Sequence, residues 1–173
     1  MTERPPTLVR KRPTGLRRLL FRLPVSLYRG PLASLLAWRC VILLTTTGRK
    51  TRLPRQVALS AMRLDDRFVV FAGLAGVQAD WYRNILVDPE VVVRLGHRCW
   101  RATAHVVLDP TQRRALMERM ATYSRRCGPP VLTRPLLRLF RLFDYDAEIA
   151  FALAHAEELP VVELRPHTVL PRC

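Results

Sequence analysis

The chain has 173 residues, 49% of them hydrophobic and 25% charged, with a formal net charge of +15. The length suits one domain, for which about 100–150 residues is the commonest size, and the composition excludes a largely disordered chain. The charge is lopsided: residues 1–55 carry 13 Arg or Lys against Glu3 alone, whereas the rest carries 16 bases and 13 acids, so an anionic partner is expected.

Residues 1–14 (MTERPPTLVRKRPT) hold three prolines and four bases and read as a loose basic arm, which places residues 1–15 outside the domain proper at 16–173. Residues 16–38 then show helical periodicity, with Pro24 and Pro31 each suited to the first turn of a short helix. Leu16, Leu19, Leu20 and Leu23 share one face, and Arg17, Arg18 and Arg22 lie mostly on another. That pattern fits a helix packed on the core, or one lying on an anionic membrane surface. Arg22, Arg29 and Arg39 cut the apolar stretch well below the about 20 residues of a spanning helix. A secretory leader is not expected, because no small-residue cleavage site follows the apolar run, and a cytoplasmic location is the working expectation.

From Cys40 the period changes. CVILLTTT (40–47) has the aliphatic, β-branched look of a buried strand, and GRKTRLPR (48–55) is a basic turn. QVALSAMRL (56–64) and RFVVFAGL (67–74) read as strands joined at Asp65–Asp66. ADWYRNILVDP (79–89) predicts a short helix capped by Asp80 and stopped before Pro89. Residues 91–108 form a hairpin turning near Gly96, whose second arm sets His97, Cys99 and Arg101 against Trp100, Ala102 and Ala104, with the core-facing set left open. Asp109 and Pro110 open a helix as N-cap and first residue; residues 131–158 are helical, and PVVELRP (160–166) is the last strand. Strands around a hairpin core with helices outside make an α+β chain with a small antiparallel barrel.

Cys40, Cys99, Cys127 and Cys173 form no C-x-x-C pair and no zinc-ligand spacing with the four histidines, so no metal site is expected and the cysteines suit a reducing compartment. Chemistry concentrates in two places. In TTTGRKTRLPR, Gly48 permits a close turn, and Arg49, Lys50, Arg52 and Arg55 can converge on one anion with Thr51 and backbone N–H groups as further donors. A solvated hairpin turn fits the same residues, and the spacing is not that of a Walker loop. In DWYRN, Trp81 and Asn84 share a helix face, where an aromatic and an amide can flank a planar ring; burial of Trp81 in the core fits equally. No nucleophile–His–acid set is visible, so no catalytic side chain is assigned.

The order TTTGRKTRLPR, hairpin, DWYRN, DPEVVV and LPVVELRP resembles the deazaflavin-dependent nitroreductase family, also described as F-420-dependent quinone reductases. The likeness spans about residues 38–109 and returns at 155–166. It implies a split antiparallel β-barrel and binding of coenzyme F-420, a deazaflavin with an anionic phosphorylated tail. By that resemblance Gly48, Arg49, Lys50 and Arg55 grip the tail, Val57 to Ser60, Leu59 among them, run beneath the ring, Ala72 and Gly73 edge the pocket, and Trp81 and Asn84 fill the family's W-Y-x-N positions. The implied reaction is hydride transfer to a small hydrophobic acceptor: a quinone, enone or nitro compound. Here Gly73 and Leu74 stand where many relatives have Ser and Lys, and 124–143 is rich in Arg and Leu, leaving Tyr123 as the one residue matched to a substrate-side tyrosine. Flavin mononucleotide (FMN) on the same barrel is the rival cofactor, and a non-enzymatic lipid-associated binding protein the rival class. Nucleic acid is not expected as a partner, because no recognition module accompanies the charge.

Overall fold

In the computed structural model the chain is described at residues 3–10, Val25, Tyr28, Ser34, 40–127 and 145–171. Alternating aliphatic and polar residues fold six strands: β1 (Val41–Thr47), β2 (Pro54–Arg63), β3 (Phe68–Phe71), β4 (Glu90–Leu95), β5 (Arg98–Val106) and β6 (Val161–Leu170). All pairings are antiparallel, and the order β1-β2-β3-β6-β5-β4 closes a barrel. Among the described residues three helices are bounded outside it: α1 (Asp80–Ile85), α2 (Pro110–Cys127) and α3 (Tyr145–Ala154). The expected α+β barrel with peripheral helices is the fold observed. The lead-in over 16–38, with its leucine face, and most of 124–143 lie outside the described residues.

The register decides what fills the barrel. Ile42 sits opposite Leu59 and Leu44 opposite Val57, so these alternate residues share the inner face with Ala61, Val91, Val93, Ala102, Ala104, Val162 and Leu164. This settles the β5 question, since Trp100, Ala102 and Ala104 point to the core and Arg101 and His105 to solvent. Each fully buried Leu or Val here, such as Leu44 or Val162, contributes about 1.5–3 kcal/mol. A second cluster outside the barrel packs Leu116, Met117 and Met120 of α2 and Ala152 of α3 on Met62, Val69 and Val161.

Several expectations are corrected. Residues 3–10 are docked rather than loose: Arg4 N–H donates to the Leu108 carbonyl, Thr7 and Leu8 N–H to that of Glu158, and Leu8 is buried. The last strand runs on to Leu170, past Pro166, because the ladder shifts register between Arg101 and Ala102, opposite that proline. Cys40 and Cys99 are each disulfide-bonded, unlike the unpaired cysteines expected. Asp80 is the first residue of α1 and not its cap, since Ala79 occupies that position without a side-chain bond. Asp109 does cap α2, its carboxylate accepting from Thr111 N–H at 2.9 Å. Among the described residues no helix is long and apolar enough to cross a membrane.

Candidate functional site

The turn between β1 and β2 closes on itself. Gly48 N–H donates to the Leu53 carbonyl at 2.9 Å and Arg52 N–H to the Gly48 carbonyl at 2.7 Å, with Arg52 at φ +56°. A Cβ on Gly48 would come within 3.0 Å of Thr51 Oγ1 and 3.1 Å of the Leu53 carbonyl, so any other residue would have to push the tight turn apart by a few tenths of an ångström. The turn presents its cations outward. Lys50 is exposed with no ion pair among the described residues, Arg55 donates only to Thr51 Oγ1 at 3.2 Å, and Arg52 stands 3.9 Å from Asp88.

Arg49 alone turns inward, and Asn84 is the reason. The Asn84 side chain is 3% exposed, and its Nδ2 donates to Thr46 Oγ1 at 3.0 Å. Its Oδ1 accepts from Arg49 N–H and from Arg49 Nη1, both at 3.2 Å, while the Arg49 guanidinium also reaches Asp80 at 3.2 Å. One amide therefore ties α1 to β1 and to the basic turn. Both halves of the amide are committed within the protein, so Asn84 positions the turn. Trp81, its neighbour on the helix, is buried in the barrel core beside Ala79, Tyr82 and Ile85. Burial raises the Tyr82 phenol above its ordinary pKa, with the Arg113 charge opposing.

Beyond the turn, β2 has an open flank. Ala61 N–H bonds the Cys40 carbonyl, so by antiparallel alternation the amides of residues 59, 57 and 55 also face β1. The amides of Ser60, Ala58 and Gln56 then face the other edge, where β3 pairs only with Ala61–Arg63. From Pro54 to Ser60 that edge has no strand beside it among the described residues. The half-buried side chains of Val57 and Leu59 line the inner face there.

The chain leaves β3 at Phe71 and passes through Ala72, Gly73 and Leu74 to α1, at the barrel end that carries the basic turn. Ala72 is buried, its N–H donating to the Pro160 carbonyl at 3.0 Å. The Gly73 carbonyl accepts from Arg10 at 2.8 Å. Tyr123 lies elsewhere: it packs with Met62 and Met117 in the outer cluster, whereas Trp81, Val57 and Leu59 belong to the inner one. The structure thus gathers Gly48, Arg49, Lys50, Thr51, Arg55, Trp81 and Asn84 at one barrel end, with Val57 and Leu59 leading from it.

Residues 21–126, more than half of the chain, match the F420H(2)-dependent quinone reductase family. The chain belongs to this family. F420H(2)-dependent quinone reductases from two strains of Mycobacterium tuberculosis are 34% identical to it over 68 residues, 38% of this chain and 46% of each relative. The match spans about half the length of these curated relatives. Among solved structures, a candidate 5-nitroimidazole antibiotic resistance protein from Bacteroides thetaiotaomicron superposes with a TM-score of 0.52 at 11% identity, covering 80% of this chain and 79% of that one. A protein of unknown function from Agrobacterium tumefaciens does so at 0.50 and 15% identity, covering 86% and 57%. These two likenesses concern the fold. The basic turn, the open β2 edge and α1 all fall inside the family-matched stretch, whereas the arm 3–10, α3 and β6 fall outside it.

Two features escaped the sequence reading. Arg113 is fully buried and donates to the carbonyls of Arg4, Val107, Leu108 and Glu157, joining the arm to the start of α2 and the approach to β6. Desolvation lowers its pKa, opposed by the charges of Tyr82, Asp109 and Glu157. Arg10, read as part of a loose arm, reaches the edge of the site through Gly73. The only available signal for Arg113 was its place three and four residues before the core residues Leu116 and Met117.

Proposed function

We propose that this chain is an oxidoreductase that binds coenzyme F-420 and passes a hydride to a small hydrophobic acceptor, a quinone above all. The observation that carries the reading is the juxtaposition of exposed cations at the Gly48–Arg55 turn with the unpaired β2 edge, in a chain of the F420H(2)-dependent quinone reductase family. The donor set suits the coenzyme's two ends. Lys50 and Arg55 would hold the phosphorylated tail, with Thr51 and turn amides as neutral donors. The outward amides of Gln56 and Ala58 are donors for the polar edge of a planar ring, and the half-buried Val57 and Leu59 offer apolar surface beside them.

When bound in reduced form, the deazaflavin supplies the hydride that the acceptor takes up. The protein's own part is binding, orientation and exclusion of water. Asn84 and Arg49 fix the turn so that its cations are placed before the ligand arrives, which lowers the ordering cost of binding. Ala72, Gly73 and Leu74 carry no charge of their own, and Arg10, whose guanidinium donates to the Gly73 carbonyl, is paired with Glu148, so an apolar acceptor fits that edge. Turnover tests this: with reduced F-420, quinones and conjugated enones should outperform carboxylated or phosphorylated acceptors, followed by loss of reduced deazaflavin. No turnover across such a panel, with F-420 bound, makes the chain a binding protein.

A position on an anionic bilayer surface is the accompanying reading. Leu53, Leu86 and Val87 are exposed at 57%, 58% and 60% beside the cations of the turn, with the Arg52–Asp88 contact linking the two loops. The basic residues of 1–39 add attraction to anionic lipid. Cosedimentation with anionic but not neutral vesicles supports it, and absence of binding at low salt ends it.

A further inference from the structure

Among the described residues the segment from Ala72 to Ala79 has a strand-like bridge at Gly76 alone, and what that residue bridges is the N-terminal arm, at Val9. Val77 N–H donates to the Leu8 carbonyl at 2.8 Å. Gly76 sits at φ +54°, and a Cβ there would lie 1.9 Å from the Leu8 carbonyl oxygen, so the approach depends on glycine. Arg10 completes the contact. Its Nη1 donates to the Gly73 carbonyl at 2.8 Å and to Glu148 Oε2 at 2.6 Å, and its Nη2 to Glu148 Oε1 at 3.1 Å. The guanidinium also lies 4.3 Å from the Phe151 ring centre, and Phe151 stacks on His155. An exposed ion pair is worth little, but this one is three-quarters covered, bidentate and shared with a backbone carbonyl.

We propose that the arm is a latch on the coenzyme site, with Arg10 as a positioning residue that ties Gly73, in the segment 72–79, to Glu148 of α3. The inference rests on the reading that coenzyme lies along the open β2 edge, and it deepens it. Neither Arg10 nor Glu148 lies in the family-matched residues 21–126. Within the segment the backbone bonds are short turns, Gly76 to Ala72, Gln78 to Ala75 and Ala79 to Gly76; the arm adds its contacts at Gly73, Gly76 and Val77 to the bonds from Ala72 N–H to the Pro160 carbonyl and from Arg83 to the Val77 carbonyl.

The test compares full-length wild type with Arg10→Ala, Arg10→Lys and Glu148→Gln by hydrogen exchange and by F-420 titration. Arg10→Ala should speed exchange at the Val77 amide by about tenfold or more and weaken F-420 binding by about tenfold, with Arg10→Lys recovering part of both and Glu148→Gln lying between. Unchanged exchange at Val77 overturns the latch. Faster exchange with F-420 affinity held within about twofold makes the arm a brace with no bearing on the site, and also overturns the proposal. Wild-type protein that fails to bind F-420 overturns the coenzyme reading instead, and Val77 exchange then decides the latch by itself.

Discussion

Replacing Asn84 by alanine removes three hydrogen bonds at once: one to Thr46 Oγ1 at 3.0 Å and two from Arg49 at 3.2 Å. A neutral bond contributes about 0.5–1.5 kcal/mol net and a charged one about 1.5–3 kcal/mol. The Arg49 guanidinium is one-quarter exposed and keeps Asp80, so its share is discounted. The sum is a loss of about 2–3 kcal/mol, or about 4–12 °C in Tm for a domain of this size. Urea unfolding followed by circular dichroism measures it, with Asp80→Ala as the exposed control, expected within about 0.5 kcal/mol of wild type. F-420 affinity should fall in Asn84→Ala although Lys50 and Arg55 remain, because their frame is gone. Stability within about 0.5 kcal/mol of wild type for Asn84→Ala would refute the pinning role.

Lys50→Ala and Arg55→Ala should each weaken F-420 binding by about 1.5–3 kcal/mol, about 10- to 150-fold, in a calorimetric titration. Arg113→Ala leaves the carbonyls of Arg4, Val107, Leu108 and Glu157 without their donor, and a loss of at least about 3 kcal/mol is expected in denaturant unfolding. Burial pushes the Tyr28 phenol up to about 12, the Gly96 backbone and Arg94 opposing, and its hydroxyl donates to the Val41 carbonyl. The folded state thus favours the neutral phenol: its contribution is complete below the unfolded pKa of about 10 and is lost as pH rises from there through 12. Ultraviolet titration of wild type against Tyr28→Phe should assign Tyr28 an ionisation near 12; a Tyr28 ionisation near pH 10 in folded protein would contradict this.

Much of the barrel was legible because its strands bury one face, and period-two alternation survives in sequence: Ile42 and Leu44, Val91 and Val93, Ala102 and Ala104. The basic turn was legible for a local reason, since Gly48 and its cations are neighbours in the chain. What escaped depends on distant partners. The last strand was read only to Pro166, and its run to Leu170 goes with a β5 register shift opposite that proline. The basic arm read as loose because its docking partners, Gly76, Leu108 and Glu158, are far along the chain. Asn84 was visible on the Trp81 face, but its commitment to Thr46 and Arg49 is a tertiary fact.

The central claim is that the Gly48–Arg55 turn makes this a deazaflavin-binding protein, and an equilibrium titration of the purified full chain with oxidised F-420 and, separately, FMN tests it most directly. Saturable F-420 binding that is tighter than FMN binding and weakens as salt rises is the expected result, because the tail is held by exposed cations screened over about 8–10 Å at physiological ionic strength. FMN binding tighter than F-420, or F-420 binding indifferent to salt and to Lys50→Ala, would contradict it.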